Sequence, residues 1–301
     1  MVALAIVLSQ VQGQFGRWPL PGPDATALPI GAVDALPPGA VRVLTAGDIG
    51  RCGSRAAVAT GALLDAVPDA TVIALGDNAY DRGTVAEYAA CYDPVWGAAK
   101  ARTLPVPGNH EYETTGASGY FAYFGEAAGT PGLPWRARDL GAWRVYLLDV
   151  ECGAVGRCDD DAQLDWLRRD LAAHPSACVL AAMHRPRFSS GPHGSQADVD
   201  PLWRALAEAG ADIVLAAHDH LYERFAPMDA DGEVTDGGLR SWVLGTGGDN
   251  LYHLGRPVPG SERRTDRAHG VLELVLHPGG YDWRFRTVMG EPFGDTGSGT
   301  C

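Results

Sequence analysis

The chain has 301 residues, 46% of them hydrophobic, which suffices for one large domain, yet no run approaches the roughly 18 apolar residues of a membrane span. A formal charge of -13 argues against nucleic acid as a main partner, because phosphate-backbone binding needs a basic face, so no nucleic-acid-binding surface is expected. Small phosphorylated molecules stay open as partners, because bound metal ions invert the local field.

Residues 1–40 read as an N-terminal extension, and a single domain is expected over 41–301. Val2 to Leu8 is apolar, but lacks a basic flank before it and a clean small-x-small site after it. It fits the tail of a signal peptide and a first strand equally well. Pro19 to Pro38 is a Pro-, Gly- and Ala-rich lead-in. Val41 to Ala46 is the first core strand, ending at Gly47-Asp48-Ile49-Gly50. Arg55 to Ala66 has helical spacing of Ala, Val and Leu, with Pro68 as its stop. Ala70 to Ala74 is a short β-branched run that delivers Leu75-Gly76-Asp77-Asn78-Ala79-Tyr80. Two short helices follow, over Thr84 to Tyr92 and Pro94 to Lys100. The strand Thr103 to Val106 leads into Pro107-Gly108-Asn109-His110-Glu111.

Tyr112 to Leu140 is aromatic and glycine-rich, an insertion expected to cover the strand ends, with its aromatics packed in the ordinary way. Trp143 to Val150 is a strand and Asp159 to Ala173 an amphipathic helix with an acidic first turn. Ala177 to Met183 is a strand ending at His184. Asp198 to Ala209 is a helix, and Asp212 to Ala217 a strand ending at His218-Asp219-His220. Arg240 to Leu244, Gly270 to Leu276 and Tyr281 to Val288 have strand composition without intervening helices, which predicts a second, partly antiparallel sheet. The fold class is therefore α/β: a two-sheet βαβαβ sandwich with flanking helices, in four layers α/β/β/α.

The six cysteines include no C-x-x-C pair. Cys152 and Cys158 bracket a flexible loop that a disulfide closes, and Cys52 and Cys91 fall in loops near enough to pair. Cys178 and Cys301 either bond, pinning the C-terminal tail, or leave Cys178 a buried thiol. Paired cysteines imply a secreted or extracytoplasmic protein.

Five strand ends carry possible metal ligands: Asp48, Asp77 with Tyr80, Asn109 with His110, His184, and His218 with His220. Hard oxygen donors beside imidazoles suit iron, zinc or manganese, and the lack of cysteine ligands argues against a structural zinc site. In order, the blocks Gly47-Asp48-Ile49-Gly50, Gly76-Asp77-Asn78-Ala79-Tyr80, Gly108-Asn109-His110-Glu111, Ala181-Ala182-Met183-His184 and Ala217-His218-Asp219-His220 resemble the calcineurin-like metallophosphoesterases, and among these the purple acid phosphatases. Ala217 stands where that family usually has glycine. Gly50 occupies a position where many relatives carry a metal-binding histidine, and Tyr80 matches the tyrosinate ligand of the purple acid phosphatases.

The resemblance implies two metal ions. Asp48, Tyr80 and His220 hold the first, Asn109, His184 and His218 the second, and Asp77 bridges them. A phenolate donor favours Fe(III) at the Tyr80 site, with Fe, Zn or Mn at the second. It implies a dinuclear phosphoester hydrolase, a phosphomonoesterase using a metal-activated water. The alternatives are a phosphodiesterase acting on nucleotides or lipid headgroups and, in third place, a non-catalytic metal-binding scaffold. His110 is expected to act on the phosphoryl group or leaving oxygen, with Glu111 orienting it. Asn78, and His193 on its glycine-rich loop, are expected to touch phosphate, and Asp249 and Asn250 to lie on the rim. His174 and His277 read as surface residues. About 40 residues before the core are too few for the N-terminal β-sandwich of larger relatives, so the expected unit is a single catalytic domain.

Overall fold

The computed structural model describes residues 36–151, 162–175, 178–288 and 290–301. The expected Cys152–Cys158 bridge, the first turn of the Asp159 helix and most of the N-terminal extension lie outside these residues. Among the described residues thirteen strands form two sheets. They are β1 Val41–Ala46, β2 Thr71–Leu75, β3 Thr103–Val106, β4 Arg136–Leu140, β5 Trp143–Leu147, β6 Cys178–Ala182, β7 Ile213–Ala216, β8 Tyr222–Phe225, β9 Arg240–Leu244, β10 Ser261–Thr265, β11 Gly270–His277, β12 Gly280–Thr287 and β13 Thr296–Thr300.

The first sheet runs β13-β12-β11-β1-β2-β3 and the second β10-β8-β9-β7-β6-β5-β4. In the first, β1, β2 and β3 are parallel and β11 joins β1 antiparallel. In the second, β5, β6, β7 and β9 are parallel, flanked by antiparallel β4 and β8. The final third thus departs from the sequence expectation. β9 enters the parallel core of the second sheet, whereas β11, β12 and β13 extend the first sheet beside β1. Strand composition reveals a strand but not its partner, because pairing rests on side-chain contacts between strands distant in sequence.

The core between the sheets is built by alternate residues of both, among them Val43, Ile73, Leu75, Val145, Leu180, Leu215, Trp242, Leu272 and Trp283. The outer face of the second sheet is covered by α3 (Ala162–Ala173) and α4 (Asp200–Glu208), through Leu164, Leu167, Leu202, Trp203 and Leu206. Pro201 sits in the first turn of α4, where its missing N–H costs nothing. The first sheet is covered by α1 (Arg55–Asp65) and the short helical turns from Val85 to Arg102. Ser54 caps α1, its side chain accepting from the Ala57 N–H at 3.1 Å. The aromatic insertion includes α2 (Ser118–Phe124), whose Tyr123 and Phe124 pack against Tyr88 and Tyr92, with Tyr120 against Phe124, in this layer rather than over the strand ends. The four layers are those expected.

Among the described residues there are two disulfides. Cys52 and Cys91 join the β1–α1 loop to the helical turns, and Cys178 at the start of β6 is bonded to Cys301. The reading of Cys178 as a free thiol is thereby excluded.

Candidate metal centre

The carboxyl ends of β1, β2, β3, β6 and β7 converge on one edge of the sandwich, where open α/β sheets place their ligands. Asp48, Asp77 and His218 leave these strands with φ of 58°, 46° and 69°. Non-glycine residues in this region cost on the order of 1–3 kcal/mol each, and such strain persists where surrounding structure enforces it. Close approach of the loops also restricts side chains. A Cβ on Gly47 would lie 2.5 Å from the Ala217 Cβ, so Ala217 fits only because the facing residue is glycine. A Cβ on Gly108 would come within 2.2 Å of the Asp77 carboxylate.

The result is one buried cluster. The Tyr80 hydroxyl donates to Asp48 Oδ1 at 2.9 Å and lies 3.4 Å from Asp77 Oδ2 and 3.3 Å from His220 Nε2. Asp77 Oδ2 is also 3.3 Å from His184 Nε2, which has Asn109 Oδ1 at 3.2 Å. Ligand atoms of Asp77, His184 and His218 all fall within 4.8 Å of one another. One oxygen of Asp77 therefore stands between a Tyr80–His220 half and a His184–His218 half.

The donor chemistry fits cations. His184 Nδ1 is 2.8 Å from the Leu75 carbonyl, and His220 Nδ1 is 2.8 Å from the Asn250 carbonyl. A carbonyl only accepts, so both Nδ1 atoms carry the proton and both Nε2 lone pairs face carboxylates, at 3.3 Å to Asp77 and 3.2 Å to Asp48. Lone pairs aimed at carboxylate oxygens require a positive charge between them, and backbone-held imidazoles are the usual support of metal ligands. Without a metal the protein must supply that charge as protons. Burial opposes it, yet Asp77 holds His184 up to about 10 and Asp48 holds His220 up to about 9. Burial raises Asp77, but His184 and His110 outweigh it and leave the carboxylate well below its ordinary range. His218 is pushed down to about 2 by burial, His184 and Arg185, and so stays neutral as a ligand must. Burial and the carboxylates Asp48 and Asp77 drive the Tyr80 phenol far above its ordinary value, so a tyrosinate here depends on a cation.

The other expected residues divide. His110 borders the cluster, 31% exposed, its Nε2 3.8 Å from Asp77 Oδ2 and its ring centroid 4.5 Å from that of Tyr80. Its Nδ1 is held by the Asp81 carbonyl, not by Glu111. Glu111 is fully buried and instead accepts from the N–H groups of Gly108 (2.7 Å) and Asn78 (2.9 Å) and from the Tyr88 hydroxyl (3.0 Å). Its work is to clamp the β2 and β3 loops together. His193 stands in the site, its ring stacked on His218 with centroids 4.4 Å apart. Asn78 does not reach the cluster mouth: it is fully buried, and its amide donates to the Val106 carbonyl at 3.1 Å. Asp249 is no rim residue either. Buried, it binds Arg51, whose guanidinium lies 4.9 Å from the Tyr80 ring centroid, and its own N–H donates to the Asp48 carbonyl. Asn250 serves through its carbonyl on His220. His174 is exposed as expected, whereas His277 is only partly so.

Three participants escaped the sequence reading. Tyr252 lies flat on the His220 ring, centroids 4.0 Å apart and planes within 9°. It sits on a loop 32 residues beyond that histidine, with no pattern around it. Asp219, between two ligands, accepts from Ser189 Oγ and the His193 N–H and so ties the His193 loop to the ligand loop. Arg185 pairs with Glu151; its adjacency to His184 was the available signal.

Residues 41–222 match the family profile described as calcineurin-like phosphoesterase. Human acid phosphatase type 7 is 30% identical over 185 residues, 52% of this chain and 41% of that protein. The mouse acid phosphatase type 7 is 28% identical over 56% of this chain and 44% of its own length, so the chain spans less than half of these relatives. Among solved structures, the purple acid phosphatase PPD1 of yellow lupin (Lupinus luteus) seeds superposes with a TM-score of 0.70 at 18% identity, covering 87% of this chain and 54% of that one. GAP50, the anchor in the inner membrane complex of Plasmodium, gives 0.65 at 13% identity over 85% of this chain and 88% of its own. These two likenesses are of fold.

Proposed function

The chain belongs to the calcineurin-like phosphoesterase family, and on that premise we propose that it is a dinuclear phosphomonoester hydrolase of the purple acid phosphatase type. The observation that carries this reading is the Tyr80 hydroxyl within 3.4 Å of Asp48, Asp77 and His220 together. A fold shared with a membrane-complex anchor does not by itself imply catalysis, so the ligand set must carry the argument. Asp48, Tyr80 and His220 would hold one metal ion, Asn109, His184 and His218 the other, with Asp77 common to both. The phenolate favours Fe(III) in the first position, with Fe, Zn or Mn in the second. When bound, the pair lowers the pKa of a water and offsets charge on the phosphoryl group.

The chain's own groups do the rest. His110 keeps Nδ1–H on the Asp81 carbonyl, which leaves Nε2 as the atom that gives a proton to the leaving oxygen. His193, half stacked over His218, offers a donor to a phosphate oxygen. Two disulfides and the acid phosphatase relatives favour an extracytoplasmic setting.

The test is elemental analysis of the purified protein together with turnover of p-nitrophenyl phosphate and bis(p-nitrophenyl) phosphate. Two metals per chain including iron, with the monoester preferred, is the expected result. Preference for the diester would move the assignment to a phosphodiesterase, and no metal uptake after incubation with iron, zinc or manganese would end it.

A further inference from the structure

Arg185 is the residue immediately after the ligand His184, and its guanidinium has two differently employed edges. Nε lies 3.0 and 3.2 Å from the two Glu151 carboxylate oxygens, and Nη2 is 3.0 Å from Oε2. This bidentate pair occupies one edge of the fork and is largely shielded, the Glu151 side chain being 7% exposed. Nη1 is on the other edge, 3.3 Å from His218 Nε2. Its two N–H groups cannot both be spent on one imidazole nitrogen, and the Arg185 side chain as a whole is 25% exposed. Asp48, Asp77 and His184 close the inner side of the cluster, all of them at most 2% exposed. A substrate must therefore approach from the side where His110, His193 and Arg185 lie. His110 flanks the Tyr80 end of that opening, and Arg185 the His218 end.

We propose that Arg185 is a further substrate-binding residue, held by Glu151 so that its Nη1 edge meets a phosphoryl oxygen at the His218 end of the cluster and favours dianionic monoesters over monoanionic diesters. The inference rests on the phosphoesterase reading above. A guanidinium already oriented by a carboxylate loses little freedom on binding a second oxyanion, and its planar fork matches phosphate. A monoester presents one more unesterified oxygen and about one more negative charge than a diester, so a cationic donor at the far end of the site separates the two.

The experiment uses the metal-loaded protein and inorganic phosphate, titrated by isothermal calorimetry, with metal content measured on the same samples. Wild type, Arg185→Met and Arg185→Lys are compared, and kcat/KM is measured for p-nitrophenyl phosphate and its bis ester. Loss of a charge-assisted hydrogen bond should weaken phosphate binding about 10- to 100-fold in Arg185→Met and lower monoester kcat/KM alike, with a smaller fall for the diester. Arg185→Lys, which keeps the charge without the fork, should lie between; it decides the matter if the Met variant fails to fold or to load metal. Unchanged phosphate affinity in a fully loaded variant, or equal losses on both esters, would show that the pair with Glu151 is only structural. A wild type that loads two metals but binds no phosphate and turns over neither ester would overturn the phosphoesterase reading and this inference with it.

Discussion

At the residue scale, the proposed site would divide its work between groups that hold charge and groups that move protons. The hydrogen bond from His110 to Asp77 is made by its backbone N–H, at 2.8 Å, while its ring Nε2 stands 3.8 Å from that carboxylate, so replacing the side chain is expected to leave the proposed ligand shell in place. His110→Ala should lower kcat by about 10²- to 10⁴-fold, the usual worth of a positioned general acid, while metal analysis still returns two ions per chain. A parallel fall in metal content would instead assign His110 to the ligand shell. Away from the centre, Asp212 at the head of β7 is raised from 3.8 to about 6 by burial, only partly offset by the Val179 N–H that it accepts at 2.8 Å. For an acid with a raised folded pKa, the native state binds the proton more tightly. Its contribution is full below the unfolded value and is lost as pH rises to about 6. Asp212→Asn keeps an acceptor for Val179 without the buried charge. Its melting temperature should match wild type near pH 4 and exceed it by about 1–3 °C at pH 7.5, as differential scanning calorimetry would show.

At the scale of elements, the candidate ligands depend on where strands end and what holds the loops after them. The strand-end positions of Asp77 and Asn109 were legible because each follows a short apolar run bounded by turn residues, the pattern of a buried strand. The role of Glu111 was not. A glutamate next to a histidine suggests orientation of that histidine, but a buried carboxylate is satisfied by whichever donors surround it, here three backbone N–H groups and a tyrosine. Asn78 fails for a related reason: its backbone sits in the ligand loop, while its side chain turns inward to the end of β3. The Cys178–Cys301 bond lies at the amino end of β6, five residues or about 17 Å of strand from the His184 end. Its 123-residue span predicts a loss of about 3–5 kcal/mol for the Cys178→Ser/Cys301→Ser double variant. Denaturant titration should register that loss, while phosphate-ester turnover at 25 °C stays near wild type. A large drop in turnover would mean that the C-terminal strand supports the centre more directly than the topology indicates.

At the scale of the whole molecule, the centre joins the two sheets. Asp48 and Asp77 come from the first and His184 and His218 from the second, and the Asp48 carboxylate accepts the His218 N–H at 2.9 Å. Metal ions bound here should therefore stabilise the sandwich as a unit. Dialysis against a strong chelator is expected to abolish turnover and lower the melting temperature. Re-addition should restore both, because ligand at about 1,000 times its Kd adds about 4 kcal/mol to the folded state. An unchanged melting temperature on verified metal removal would show that the sheets hold together without the centre.

The chain alone determined the strands that lead into the candidate site, the donor types at their ends and the order of the blocks, since these are local properties: a β-branched run, a turn, a donor atom. It did not determine which sheet the last strands join, that Asp249 braces Arg51, that Tyr252 lies against His220, or that Arg185 turns one edge to Glu151 and the other to the site. Each of these is a contact between segments far apart in sequence. Such contacts leave no period or spacing behind, and only the tertiary packing of strands and of the loops beyond them decides them.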